Sequence, residues 1–145
     1  LRMSIIGPDL KEDGVGLFNW FSRQSGGITG YTNARWNGVT TIELARGIAA
    51  ALGQNISGLY HLVPDASVSK FELLSLFAEV FGCDDLAITP RDDVVVDKTL
   101  VNTRTDFDFT VAGYPAMIGE MRDWIEAHRS LYAHYSHLLE KLESR

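Results

Sequence analysis

Leu1-Arg2-Met3-Ser4-Ile5-Ile6-Gly7-Pro8 is the stretch on which the fold turns. A short apolar run closed by Gly-Pro is a strand entering a turn. Strands of this kind belong to parallel sheets covered on both faces, which calls for a neighbour on either side, one of them upstream of Leu1. The alternative is an edge strand in a small mixed sheet. The rest of the composition is ordinary. The 145 residues are 46% hydrophobic, 22% charged and 10% aromatic, the profile of a globular chain and not of a disordered one. A net charge of −6 argues against a generic electrostatic hold on nucleic acid or an anionic membrane. The single cysteine, Cys83, excludes an intrachain disulfide and a multi-thiolate metal cage and fits a reducing cytoplasm. No apolar run approaches the ~20 residues of a membrane span, and no signal-peptide pattern opens the chain.

Downstream, helices and strands are punctuated clearly. Residues 16–25 read as a helix with Leu17, Trp20 and Phe21 on one face, stopped by Gly26-Gly27, and 28–33 read as a strand. Thr40-Thr41-Ile42-Glu43 is a capping box opening a helix whose buried face is expected at Ala45, Ile48, Ala49 and Leu52, ending at Gly53. Gly58-Leu59-Tyr60-His61-Leu62-Val63 is a further strand. Ser69-Lys70-Phe71-Glu72 is a second capping box, and its helix buries Leu73, Leu74, Phe77, Val80 and Phe81 before Gly82. Beyond Gly113-Tyr114-Pro115, apolar or amphipathic residues recur at Ile118, Met121, Ile125, His128, Tyr132, Tyr135, Leu139 and Leu142, a heptad seam. One helix over 116–143 would be ~42 Å long and project to pair with a second subunit. A helix pair folding back on the core is the alternative.

Self-contained catalytic chemistry is absent. Gly14-Val15-Gly16 has Asn19 where a dinucleotide fingerprint needs its third glycine and Lys11-Glu12-Asp13 where it needs a strand. No Tyr has a Lys four residues on. His134 and His137 lack the further ligands of a metal site, and His61 reads as a core histidine. Ser67-Val68-Ser69-Lys70 matches S-x-x-K formally, but Ser69 is better used as a helix cap. What remains is a set suited to a phosphorylated ligand with a flat base: Asn19 and Trp20, the Thr32, Asn33, Arg35, Trp36, Asn37 loop, then Lys98 and Arg104. A solvated loop with ordinary ion pairs is the other reading of the same residues.

Several of these segments, taken in order, resemble the C-terminal half of an extended short-chain dehydrogenase/reductase acting on nucleotide sugars, in the dTDP-4-dehydrorhamnose reductase-like branch. The opening run resembles the sixth strand of that Rossmann sheet, and Asn19-Trp20-Phe21 resembles the helix after it. Gly38-Val39-Thr40-Thr41 is similar to a G-x-P-T helix start with Val39 in place of Pro, and Gly58-Leu59-Tyr60-His61 resembles the seventh strand. The segment from Asp97 to Arg104 is a looser match to R-P-x-x-S-x-L, with Lys98 in place of Arg, and Gly113-Tyr114-Pro115 resembles the last loop. The resemblance implies an α/β fold, the substrate-binding part of an extended Rossmann-type fold, with few short strands including a parallel pair and four to five helices. Residues 1–129 would form that part and 130–145 a C-terminal helical extension. It implies NAD or NADP, bound mainly by a missing N-terminal half with the glycine loop and the Tyr-x-x-x-Lys pair, and touched here by Ile6, Gly7 and Pro8. Asn19, Thr32, Arg35, Trp36, Asn37, Lys98 and Arg104 would face a nucleotide-diphosphate sugar. The expected function is a cytoplasmic reductase of a 4-keto-deoxysugar nucleotide in polysaccharide biosynthesis, inactive as this piece alone. An epimerase is the near alternative, and a non-catalytic module assembling through the C-terminal helix the distant one. No metal, nucleic acid or membrane is called for, and a homo-oligomer through the C-terminal helix is allowed.

Overall fold

In the computed structural model, which describes residues 1–144, the opening run forms β1 (Ile5–Ile6), parallel to β4 (Val39–Thr40) with Ile5 opposite Val39. The Arg2 amide donates to the Tyr60 carbonyl at 2.7 Å, the Leu62 amide donates to the Arg2 carbonyl at 3.0 Å, and the Val39 amide donates to the Ser4 carbonyl at 2.9 Å. Residues two apart in a strand aim their backbone groups the same way, so these partners all lie along one edge. Among the described residues no strand pairs with the other edge. Within the described residues the run is paired along one edge: Ile6 is buried, but Ile5 is 53% exposed. The 58–63 segment contributes only a parallel bridge, Arg2 with His61.

Two further small sheets complete the β-structure. β2 (Gly27–Tyr31) and β6 (Ala87–Arg91) pair in parallel over five residues. β3 (Ala34–Trp36) lies between antiparallel β5 (Val68–Ser69) and parallel β7 (Val96–Asp97). The helices are α1 (Leu17–Ser22), α2 (Thr41–Gly53), α3 (Lys70–Val80), α4 (Tyr114–Ala127) and α5 (Ser136–Glu143), with a 3₁₀ turn at Ala133–Tyr135. None of them is long and apolar enough to cross a membrane.

The two capping boxes differ. At α3 both halves form: Ser69 Oγ accepts from the Glu72 amide at 3.1 Å and Glu72 Oε2 accepts from the Ser69 amide at 2.6 Å. At α2, Thr40 Oγ1 accepts from the Glu43 amide at 3.3 Å, but the buried Glu43 carboxylate does not reach back. It accepts instead from the Ala112 amide at 2.8 Å, tying down the segment before α4. Both helices end in paired amide bonds around a left-handed residue, Gly82 for α3 and Asn55 for α2. Asn55, not Gly53, reverses the chain after α2.

α2 also buries a different face from the expected one. Ala45, Ile48, Ala49 and Leu52 point to solvent, whereas Glu43 and Gly47 face inward. A Cβ on Gly47 would lie 2.6 Å from Leu62 Cδ2, so α2 packs closely on the 58–63 segment at this glycine. With Leu52 74% exposed, Leu52→Glu is expected to move stability by no more than about 0.5 kcal/mol in urea unfolding. A loss above about 2 kcal/mol would show that the face is covered.

The main core joins Phe18 and Phe21 of α1, Leu74 and Phe77 of α3 and Ile118, Met121 and Ile125 of α4 to Tyr135, Leu138 and Leu139. A second cluster packs Val39, Tyr60, Leu62 and Phe107 against Tyr114 and Met117. The heptad seam is thus buried inside the chain. α4 ends at Ala127, the segment through Tyr132 turns, and α5 folds back, which corrects the projecting helix. The reason is energetic: a continuous helix would leave Tyr135, Leu138 and Leu139 in water, while the turn places them against α1 and α3.

Candidate functional site

β3 lies edge to edge with β5, the two-residue strand that feeds α3, and parallel to β7. Beside this junction is a cavity of about 330 Å³ lined by Ile5, Ile6, Leu17, Ala34, Arg35, Trp36, Ser69, Lys70, Leu73, Val96 and Lys98. Arg35, Trp36 and Lys98 therefore meet in one cleft, with Ile6 on its wall. The N-terminus of α3 opens into it as well, adding partial positive charge to three cationic side chains.

Those cations are held differently. Arg35 is clamped: Nη1 donates to Glu72 Oε2 at 3.0 Å, and Nη2 donates to the Ser67 carbonyl at 2.8 Å and to Ser67 Oγ at 2.7 Å. The backbone bond from Ser69 holds the Glu72 carboxylate below its usual range, and the Ser69 hydroxyl and Arg35 add to this. A lowered folded-state value means that this contribution is full above the ordinary glutamate range and is lost as pH falls through the folded-state value. The clamp on Arg35 is therefore intact at neutral pH. The Lys98 ammonium forms no ion pair among the described residues, though its backbone amide donates to the Arg35 carbonyl at 3.0 Å. The Lys70 ammonium sits 5.4 Å from the Trp20 ring centre and 5.8 Å from that of Tyr31, against a neighbouring open pocket of about 490 Å³. Trp36 packs on Tyr114 at 6.0 Å, which fixes its indole.

The other expected site residues lie elsewhere. Asn19 is 1% exposed and fully bonded: Nδ2 donates to the Glu12 and Gly14 carbonyls at 3.0 and 2.6 Å, and Oδ1 accepts from the Tyr135 hydroxyl at 2.9 Å. Thr32 is tied by its amide and hydroxyl to the Arg91 carbonyl at the end of β6. Asn37 is buried and zips to Leu100 through both its amide oxygen and nitrogen, holding the 98–104 segment near β3. Arg104 pairs with Asp106 and caps the Ser57 and Leu59 carbonyls beside a separate small cavity with His61 and Asn102. Gly7 and Pro8 follow Ile6 in the turn, where a Cβ on Gly7 would lie 2.5 Å from Thr41 Oγ1. Lys70 was missed by the sequence reading. Its signal was its place directly after a helix cap, where the side chain runs along the cleft edge and its ammonium reaches Trp20 and Tyr31 in the neighbouring pocket.

The glycines of Gly14-Val15-Gly16 have a local purpose. Their absent side chains leave room for the Asp9 carboxylate, which a Cβ would approach to 2.5 Å at Gly14 and 2.8 Å at Gly16. Asp9 Oδ2 accepts from the Gly16 amide at 3.1 Å. A carboxylate in that place is the opposite of a pyrophosphate cradle.

No protein-family model matches the sequence, and no curated protein matches it in sequence. Solved structures match it in fold. The UDP-N-acetylglucosamine 4-epimerase from Bacillus cereus superposes with a TM-score of 0.66 at 15% identity, over 86% of this chain and 46% of that one. A dTDP-4-dehydrorhamnose reductase from Clostridium acetobutylicum gives 0.62 at 16% identity, over 79% and 45%. The UDP-glucose 4-epimerase from Bifidobacterium longum, solved with NAD+ and UDP, gives 0.60 at 13% identity, over 87% and 46%. This chain spans just under half the length of each. At such identities the likeness is one of fold: the chain folds as a portion of the α/β architecture that these epimerases and this reductase share.

Proposed function

We propose that this chain binds the diphosphate and base of a sugar nucleotide, as the substrate-binding portion of an NAD(P)-dependent reductase of a 4-keto-deoxysugar nucleotide. The observation that carries the reading is the convergence of Arg35, Lys70 and Lys98 beside Trp36 in a chain whose net charge is −6. Cations gathered against the overall charge suit a compact polyanion, and the half-buried Trp36 indole in the cleft lining suits a flat base. Arg35 is pre-set by Glu72 and Ser67, so its planar fork needs little reorganisation to meet a phosphate.

Toward the cofactor the described residues offer the turn Ile6, Gly7, Pro8, of which Ile6 lines the cleft. The chain's single G-x-G is filled by Asp9, so a pyrophosphate loop has to come from another part of the protein. A bound nicotinamide supplies hydride exchange with a sugar carbon. The residues described here bind the substrate and orient it. An epimerase remains the second reading because the Bacillus cereus epimerase superposes as well as the reductase does. The seam that an assembly module would use packs within the chain, so it does not favour that reading.

Calorimetric titration with UDP, dTDP and their sugars tests the reading. Saturable binding that weakens as salt rises is expected for the diphosphates, and none for the free nucleosides. Equal affinity for nucleoside and nucleoside diphosphate, or no binding of either, overturns it.

A further inference from the structure

We propose that Tyr135 is a positioning residue: its hydroxyl, from the C-terminal segment, fixes the loop between β1 and α1 whose two ends form one wall of the cationic cleft. The loop 9–16 is not shaped by hydrophobic burial, since Leu10 is 69% exposed and Val15 98%. Polar bonds shape it instead. The Tyr135 hydroxyl accepts from the Asp9 amide at 3.0 Å and donates to Asn19 Oδ1 at 2.9 Å. Asn19 passes the restraint on through Nδ2 to the carbonyls of Glu12 and Gly14, and Asp9 closes the loop on the Gly16 amide. The residues that flank this loop, Ile5 and Ile6 before it and Leu17 after it, all line the cleft.

Tyr135 is itself firmly seated. Its ring is fully buried at 5.2 Å from Phe18, and His137 Nε2 donates to the Ser22 carbonyl at 2.7 Å, so the tail holds α1 at both ends. Burial pushes the Tyr135 phenol up to about 12, so it keeps the proton that Asn19 accepts throughout the neutral range. The consequence for binding rests on the nucleotide-sugar reading of the cleft, but the consequence for the loop does not.

Tyr135→Phe removes one oxygen and keeps the ring. Amide hydrogen exchange of the full chain is expected to accelerate roughly tenfold at Asp9 and Gly16, while the 70–80 amides of α3 stay as they were. Affinity for UDP is expected to fall severalfold with little change in the melting temperature. Asn19→Ala, which releases the loop from the other side, is expected to give the same local pattern, and Ser136→Ala none. Unchanged loop exchange in Tyr135→Phe overturns the proposal, as does acceleration spread evenly over α3 and α4, which would mark a core contact only. Wild-type binding of UDP with equal affinity in Tyr135→Phe overturns the coupling to the cleft. A wild-type chain that binds no nucleotide overturns the functional reading instead, and the exchange result then decides the role of Tyr135 alone.

Discussion

Lys98→Gln is expected to weaken binding of UDP or dTDP by roughly 10- to 100-fold while leaving the urea midpoint in place. A hydrogen bond to a charged group contributes about 1.5–3 kcal/mol, and each ~1.4 kcal/mol is a factor of ten in affinity. The fold has no stake in this ammonium: Lys98 makes no ion pair among the described residues, and its structural bond, to the Arg35 carbonyl, comes from the backbone. Arg35→Ala gives the contrasting result. Its guanidinium also braces Glu72 and Ser67, so both binding and stability fall. The pair of variants separates ligand recognition from scaffolding. A Lys98→Gln chain that binds UDP as tightly as wild type would remove this lysine from the site, and a control at Lys141, which pairs with Asp85 and does not line the cleft, is expected to bind normally. The effect should shrink as salt rises, because the cleft is open to solvent and its charges are screened within about 10 Å at 0.1 M.

What the sequence disclosed and what it hid divide along the range of the interactions involved. The box at Ser69 and the stop at Gly82 are local, complete within a few residues, and appear in the structure as the pattern predicts. The Thr40 box is only half local. Its Glu43 had a stronger claim on it from the Ala112 amide, 69 positions away, and no pattern around Thr40 records that. α2 carries Ile42, Leu44, Ala45, Ile48, Ala49, Ala50, Ala51 and Leu52, apolar nearly all round, so periodicity cannot choose its buried side. The close approach of Gly47 to Leu62 chooses it. In the C-terminal seam the spacing identified the buried residues correctly and misplaced their partner, because a stripe packed on its own core and one packed on a second subunit look the same in sequence.

The cleft shows the same division. Arg35, Trp36 and Lys98 announced themselves by residue type, and the pairing of β3 with β7 brings them together. Asn19, Asn37 and Arg104 are equally polar, but their hydrogen bonds go to backbone and side-chain groups of their own chain, a destination that residue type does not reveal. For Asn19 the resemblance pointed to substrate. In the structure its hydrogen bonds go to the loop that follows β1 and to the Tyr135 hydroxyl.

Phe18→Ala is expected to destabilise the chain by about 3–5 kcal/mol, the range for emptying a fully packed aromatic site. Phe18 is 0% exposed and its ring centre lies 4.8 Å from that of Phe81, 5.2 Å from Tyr135 and 5.4 Å from Phe77. It is the residue at which the short helix α1, the central helix α3 and the folded-back tail meet. Total stability of a domain is about 5–15 kcal/mol, so this one truncation removes a large fraction of it. α1 has six residues and no side-chain cap, so local propensity cannot hold it once the ring is gone. Urea unfolding followed by tryptophan fluorescence and by circular dichroism measures the loss. The three tryptophans lie on α1 (Trp20), β3 (Trp36) and α4 (Trp124), so coincident transitions would show that these elements unfold as one unit. A cost below about 1 kcal/mol would mean that the tail does not close over α1. That result would also release Tyr135 from the loop it holds, and with it the wall of the cleft.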